Sequence, residues 1–179
     1  MYSEKDWEII RGAEQAFFPA VEMMYAGKVP TTTLDVLPGS EVNTVELDQY
    51  RVVRLRAYQP LAGIDEYATI YHEGSAMWAM HRHGECAPKA RDFLEACLRK
   101  QYAEKRMLRS DEFGPDHGGK YTNHGEGFTY TCVARLRSFT EFDVERLVHD
   151  LSHVKCFVHE RCVGGVLLPK RGGPGSRRK

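Results

Sequence analysis

The sequence of 179 residues contains no long apolar run, no excess of one charge and no paired-cysteine motif. A membrane-spanning helix needs about 20 predominantly apolar residues in a row, and no stretch of the chain approaches that length. Lys+Arg and Asp+Glu both number 25, which argues against the clustered positive charge of a nucleic-acid surface. The five cysteines are odd in number and form no CxxC pair, so free thiols fit better than disulfides or a zinc finger. We therefore expect neither a membrane nor a nucleic acid as a partner.

The two ends of the chain differ in character from its middle. Residues 1–6 are polar and lack the apolar core of a signal peptide, so we expect a cytoplasmic protein. Residues 169–179 combine glycine, proline and basic side chains, which predicts a disordered basic tail. The length and composition of residues 1–168 fit a single globular domain.

Two segments show helical periodicity. The first covers residues 4–26, with Ser3 as its N-cap and Gly27 as its stop, and Pro19 should kink this helix or divide it. The second begins at Pro88 and runs to about Leu108. The predicted buried stripes are Trp7, Ile10, Phe17, Val21 and Met24 in the first helix, and Phe93, Leu94, Cys97, Leu98 and Tyr102 in the second.

Alternation of apolar and polar residues predicts several antiparallel strands. Residues 28–49 are interrupted by proline and glycine and predict a loop or extended arm, and residues 109–127 predict a glycine-rich loop. Residues 140–152 fit either a strand or a helix, and the parallel with the first half favours the strand. The predicted strands cover residues 52–58, 67–71 and 77–83, with a hairpin turn at 73–75, and then residues 128–139, 146–150 and 154–162.

One phrase is written twice: VVRLRAY at residues 52–58 and VARLRSF at residues 133–139. The predicted elements around it also repeat, because a helix and three strands occur in residues 4–87 and again in residues 88–168. A repeat of two units favours pseudo-twofold symmetry over a solenoid. The predicted fold class is therefore α+β, a duplicated α-β-β-β unit that forms one curved antiparallel sheet covered by two helices.

Several short motifs occur in a recognisable order. They are the helix end AVEMMYAG, the phrase LAGID, the strand MWAMHRHG and the pair Gly164-Gly165. In these the chain resembles the bacterial domain-of-unknown-function family 5680, whose members occur alone or behind a repressor-type helix-turn-helix domain. The resemblance spans roughly residues 17–168 and implies a fold unit with no established activity. The matching residues are Tyr25-Ala26-Gly27, Gly63, Trp78-Ala79-Met80, Gly84 and Gly164-Gly165, whereas Leu61, Asp65 and His83 depart from the family pattern.

The doubled phrase carries four arginines. Arg54 and Arg56 are two apart on one predicted strand, and Arg135 and Arg137 are two apart on its counterpart, so each pair shares a face. A guanidinium group holds a carboxylate or phosphate through two parallel hydrogen bonds. The pattern predicts a binding site for a small anionic molecule, and the alternative is a solvated face or pairing with the protein's own carboxylates.

Acidic and histidine side chains supply candidates for proton transfer. Asp65 and Glu66 open one predicted strand and Glu145 opens its counterpart, so Asp65 and Glu145 could form an acid pair that orients or assists a base. Salt bridges from these carboxylates to the arginines are the favoured explanation. His81 and His83 share one face of a predicted strand and could move protons. Such a same-face histidine pair also suits a metal ion, but no standard metal-binding phrase is present, so no metal and no cofactor are predicted.

Aromatic residues alternate with these polar groups. Tyr58 and Tyr71 are expected to line a pocket between sheet and helices, and Trp78 is assigned to the same lining although it also fits the core.

The sequence predicts a domain that binds a small anionic molecule in such a pocket. The same site could serve a cofactor-independent acid–base enzyme, such as a lyase, isomerase, cyclase or hydrolase, so the pattern leaves catalysis open. The alternative is a non-catalytic regulatory or partner-binding module, and a homodimer is a possible assembly.

Overall fold

An open, fully antiparallel sheet with two helices packed against it forms the architecture in the computed structural model, which confirms the α+β class. The structure describes residues 2–35, 39–58, 63–103, 119–125, 127–134, 139–151 and 155–168. The helices are α1 (Glu4–Tyr25) and α2 (Pro88–Ala103). The strands are β1 (Thr32–Thr33), β2 (Ser40–Leu47), β3 (Tyr50–Tyr58), β4 (Gly63–His72), β5 (Ser75–Cys86), β6 (Gly119–Gly125), β7 (Phe128–Ala134), β8 (Glu141–Asp150) and β9 (Lys155–Val166).

The sheet has the strand order β1-β2-β3-β4-β5-β9-β8-β7-β6 among the described residues. Strands β5 and β9 therefore join the first half of the chain to the second at the centre of the sheet. Helix α1 contacts β2, β3 and β4, whereas α2 contacts β7 and α1. Both helices thus cover one face, as the sequence predicted.

Helix α1 begins at a capping box. Asp6 N donates to Ser3 Oγ at 3.2 Å, and Ser3 N donates to Asp6 Oδ2 at 2.8 Å, so two unpaired backbone donors are satisfied. Gly27 has a φ of 68°, which suits glycine at the end of a helix. Pro19 lies inside one continuous helix, so of the two predicted outcomes, a kink or a division, the division is wrong. Trp7 was predicted to be buried in this stripe, but it is 41% exposed, so that part of the prediction is wrong.

The strand predictions are confirmed in part and corrected in part. Residues 140–152, which also fitted a helix, are strand β8 over Glu141–Asp150, paired on both sides by β7 and β9. The predicted arm at 28–49 contains β1 and β2, and β2 pairs with β3 along its whole length. The predicted loop at 109–127 contains β6. Within the described ranges, each half of the sheet therefore holds four long strands, not three. The predicted extension of α2 beyond Ala103 and the basic tail at 169–179 lie outside the described residues.

The ladder defines how the two halves correspond. A register shift follows Ile70 in the β4–β5 pair and Val148 in the β8–β9 pair. Val52 pairs with Ile70, and Tyr130 pairs with Val148. Val52 in β3 therefore corresponds to Tyr130, not to Val133. The two copies of the doubled phrase thus do not occupy equivalent positions in the two halves of the sheet. Duplication as the origin of the two halves stays a prediction.

The hydrophobic core lies between the helices and the sheet. Trp78 is fully buried there, with its ring stacked on Phe139 at 4.8 Å and tilted against Phe17 at 4.8 Å. Its Nε1 donates to the carbonyl oxygen of Phe139 at 2.8 Å. Trp78 is thus a core residue and not part of a pocket lining. Among the described helices, none combines the length and the apolar character that crossing a membrane requires.

Candidate functional site

The sheet separates the predicted site residues onto two faces. Arg54 and Arg56 are buried on the face that the helices cover. Asp65, His81 and His83 alternate with the buried residues of β4 and β5 and lie on the opposite, outer face. The prediction that these arginines and histidines share one site is therefore wrong, since side chains of adjacent positions in a strand point to opposite faces.

A buried carboxylate is the centre of the covered face. Glu66 Oε2 lies 2.9 Å from Arg54 Nε, 3.2 Å from Arg56 Nε and 3.2 Å from Arg82 Nη2. The Glu66 side chain is 2% exposed. The register explains the convergence, because Arg56, Glu66 and Arg82 are directly paired across three neighbouring strands. Three guanidinium groups therefore share one carboxylate oxygen.

The cluster continues into the second half of the sheet. Arg82 Nε lies 3.4 Å from Glu160 Oε2, and Arg146 Nη1 lies 3.4 Å from Glu160 Oε1. Arg146 Nη1 also donates to Cys162 Sγ. Burial by itself would lower the pKa of Arg82, but Glu160 and Glu66 raise it well above its usual range. Arg82 thus stays cationic and connects the carboxylates of the two halves. We call Arg54, Arg56, Arg82, Arg146, Glu66 and Glu160 the arginine cluster.

Two tyrosines from the helices close the arginine cluster. Arg82 Nη1 donates to Tyr25 Oη at 2.9 Å, and Arg54 Cζ lies 4.4 Å from the centre of the Tyr25 ring. Tyr25 stacks on Tyr102 with ring centroids 5.4 Å apart, and Arg146 Nη2 donates to Tyr102 Oη at 3.5 Å. Burial raises the pKa of both tyrosines, so both hydroxyls stay protonated. Each hydroxyl oxygen therefore accepts from an arginine and still carries a proton that it can donate.

The cluster meets solvent beside α2. Arg56 Nη1 contacts Glu95 Oε1 at 3.0 Å, and the Glu95 side chain is 33% exposed. Glu95 lies in α2, between the buried residues Leu94 and Cys97. Arg56 is therefore the most exposed member of the arginine cluster, and its contact with Glu95 lies on the solvent side.

The outer face holds the predicted proton-transfer residues in separate pairs. Asp65 Oδ1 lies 2.6 Å from His81 Nε2, and a role of Asp65 in orienting a catalytic base stays a prediction. Glu145 Oε1 lies 2.8 Å from His159 Nε2. Strands β4 and β8 are three strand spacings apart, or about 14 Å, so Asp65 and Glu145 do not form the predicted acid pair.

The remaining predicted residues do not gather at the arginine cluster. Tyr71 lies on the outer face under Arg51, whose Cζ is 4.5 Å from the ring centre, and borders a cavity of about 140 Å³. A larger cavity of about 350 Å³ is lined by Tyr2, Ala79, Thr140, Glu141, Gly164, Gly165, Val166 and Leu167 and includes no predicted residue. The side chain of Tyr58 and all of Arg135 and Arg137 lie outside the described residues.

The sequence-based prediction missed most of the cluster. Arg82 is in phase with Trp78 and Met80 of β5, and Arg146 is in phase with Val144 and Val148 of β8. A charged residue that shares the period of apolar neighbours is the readable signal of a buried charge. Glu66 is adjacent to Asp65 in β4, but only Glu66 has the parity of the buried residues Ala68 and Ile70.

The fold and site together define an α+β domain with a helix-covered open sheet and a buried cluster of arginines and glutamates. No known protein family, curated protein or solved structure matches this chain in the comparisons made. The resemblance to the domain-of-unknown-function family 5680 stays a prediction.

Proposed function

We propose that the protein is a binding domain for a small anionic molecule, whose anionic group is held by the arginine cluster between sheet and helices. The observation that carries the proposal is the convergence of Arg54, Arg56 and Arg82 on the single oxygen Oε2 of Glu66. The three guanidinium groups together carry more N–H donors than one carboxylate oxygen can accept from.

Stability alone is a poor reason for such a cluster. Moving a charged group out of water costs several kcal/mol even after relaxation, and apolar residues of similar volume are often as stable or more so. Arg54 and Arg82 are both fully enclosed, with side chains 5% and 2% exposed. Packing alone does not require buried arginines, so a functional role for the guanidinium groups would explain why the protein bears this desolvation cost.

Several buried donors face the cluster with capacity to spare. Arg54 Nη2 lies 2.9 Å from Glu66 Oε2 without hydrogen-bond geometry, and Arg82 Nε makes no hydrogen bond within the described residues. Among the described residues, no group accepts the hydroxyl protons of Tyr25 and Tyr102. A carboxylate or phosphate supplies several acceptor oxygens and would satisfy such donors together.

The proposal concerns binding without an acid–base step from the histidines. His81 and His83 lie across the sheet from the arginine cluster and cannot reach a molecule bound there. The cytoplasmic compartment and the homodimer stay predictions.

The proposal is tested by thermal unfolding with and without anions. Phosphate, citrate and succinate are compared with neutral succinamide, each at a concentration about 100 times the expected dissociation constant. Binding only to the native state then adds about 2.7 kcal/mol, which raises the melting temperature by roughly 5–10 °C for a chain of this size.

A matched pair of variants separates specific binding from a general salt effect. Arg54→Met keeps an aliphatic side chain against Tyr25 and leaves Glu66 with two arginine partners, so the variant should fold and lose the shift. Arg161→Met removes an exposed arginine of the outer face and should keep the shift. Absence of a shift with every anion, or equal shifts in both variants, would overturn the proposal.

A further inference from the structure

Two histidines lie side by side on the outer face of β5, which no described helix covers. The ring centroids of His81 and His83 are 5.1 Å apart, and the ring planes are inclined by 35°. His83 is exposed, and the His81 side chain is 36% exposed. Both imidazoles are therefore open to an ion from solvent.

The spacing of the two rings fits a chelate. A metal ion about 2.1 Å from an imidazole nitrogen lies about 3.2 Å from the ring centroid, so a tetrahedral angle separates two centroids by about 5.2 Å. The observed separation of 5.1 Å agrees with this value. The strand itself sets the spacing, since alternate residues of an extended chain project from one face.

Asp65 determines which ring nitrogen of His81 carries the proton in the neutral ring. His81 Nε2 lies 2.6 Å from Asp65 Oδ1, and because a carboxylate only accepts, this nitrogen carries the proton of the neutral ring. Nδ1 of His81 then has the lone pair that a metal needs. Metal-binding histidines commonly donate their other N–H group to a carboxylate, which orients the ring and raises its basicity.

Tyr67 adds a second restraint on the same ring. Its side chain stacks on His81 with centroids 4.3 Å apart and an interplanar angle of 3°. Stacking covers one flat side of the imidazole and does not block Nδ1 at its edge. His81 is thus held in one plane by Tyr67 and at one end by Asp65.

We propose that His81 and His83 form a chelating site for a divalent transition metal such as Zn²⁺ or Cu²⁺, with Asp65 as the carboxylate that orients His81. Across the part of the chain that the structure describes, no group of three or more His, Cys, Asp or Glu side chains could hold a metal ion. The site therefore offers two protein ligands and leaves the other coordination positions to water or to an outside ligand. It is separate from the arginine cluster, from which the sheet divides it.

Calorimetric titration of untagged protein with Zn²⁺ tests the site. We expect one equivalent to bind, and His81→Gln and His83→Gln each to weaken binding by at least about tenfold because a single imidazole cannot chelate. Asp65→Asn should weaken binding by about tenfold while both ligands stay in place. All three changes are at the surface and should leave folding intact.

His159→Gln is the matched control, because His159 is also an exposed histidine with a carboxylate partner on the same face but has no histidine beside it on alternate residues. It should bind Zn²⁺ as the unchanged protein does. Paramagnetic resonance of bound Cu²⁺ should show coupling to two nitrogens, reduced to one in His83→Gln. Equal binding by His81→Gln, His83→Gln and the unchanged protein, or binding by none of them, would overturn the site.

Discussion

Arg82 lies directly opposite Cys162 in the ladder between β5 and β9, where the two halves of the sheet meet. Both side chains are buried among the charges of the arginine cluster. Burial raises the pKa of the Cys162 thiol to about 12, despite the opposing effect of Arg146. The centre of the cluster therefore contains a neutral thiol next to guanidinium groups, and its protonation is linked to folding.

This linkage predicts loss of stability at alkaline pH. Cys162 has a pKa of about 12 in the folded chain and near its usual value of about 8.5 when unfolded, so the folded state retains the proton longer. The protonated Cys162 thiol makes its full contribution to the free energy of unfolding below about pH 8.5. Above that pH the contribution falls by roughly 1 kcal/mol per pH unit. Burial raises the pKa of Tyr25 and Tyr102 in the same direction, which steepens the loss above about pH 10.

Urea unfolding at pH 8, 9.5 and 10.5 measures this effect. The unchanged protein should lose stability steadily over the series, and Cys162→Ala should lose less because one titrating group is gone. A free energy of unfolding that stays level from pH 8 to pH 10.5 in the unchanged protein would contradict the buried, protonated thiol.

Of the carboxylates in the described residues, Glu66 is predicted to cause the largest loss of stability when its charge is removed. Glu66→Gln removes the charge that three arginines share and leaves buried cations without compensation, which costs about 3–5 kcal/mol. Chemical denaturation checks the value. Glu46→Gln, at an exposed position of β2 in the same sheet, should change stability by less than about 1 kcal/mol. Similar losses in the two variants would mean that the cluster does not depend on Glu66.

The sequence was sufficient to predict the fold class and much of the covered face. The buried stripe of α2 is confirmed in full, because Phe93, Leu94, Cys97, Leu98 and Tyr102 are all buried. The preference for a strand over residues 140–152 is confirmed as well. Local periodicity decides these features, so they can be read without knowledge of the partners.

The composition of the site depends on cross-strand register, which local patterns do not contain. Arg54 and His81 seemed compatible with one pocket because each shares a face with polar neighbours in its own strand. Only the pairing of Arg54 with Ala68, and of Ala68 with Met80, shows that His81 belongs to the other face. The strand β2 was missed for a different reason. Pro38 and Gly39 precede it and are typical of a loop, which was extended to the whole segment.

Gly84 is predicted to be indispensable for the approach of β5 to β9. A Cβ atom at this position would lie 2.3 Å from the carbonyl oxygen of His159 and 2.6 Å from Glu160 Cα. Both atoms belong to the backbone and cannot rotate away, so Gly84→Ala should cost at least about 1–3 kcal/mol and displace Glu160 from the arginine cluster.

Gly125→Ala provides the comparison for Gly84→Ala. Gly125 also lies in a strand, but the nearest atom to its added Cβ is a ring carbon of Phe93 at 3.4 Å. Ordinary contact of this kind should leave the melting temperature within about 3 °C of the unchanged protein, since a change below 1 kcal/mol has that size. A larger loss for Gly125→Ala than for Gly84→Ala would show that the β5–β9 approach tolerates a side chain.

Glu95 is predicted to limit access to the arginine cluster. Its carboxylate contacts Arg56 from the solvent side at 3.0 Å and therefore competes with any anion that approaches this guanidinium. Because the Glu95 side chain is 33% exposed, Glu95→Gln should cost less than about 1 kcal/mol of stability. The same change should strengthen citrate or phosphate binding about threefold to tenfold, since one negative charge near the entry is removed. Titration calorimetry at low and high salt measures both the gain and its screening. Weaker anion binding by Glu95→Gln than by the unchanged protein would mean that Glu95 positions Arg56 for the ligand and does not compete with it.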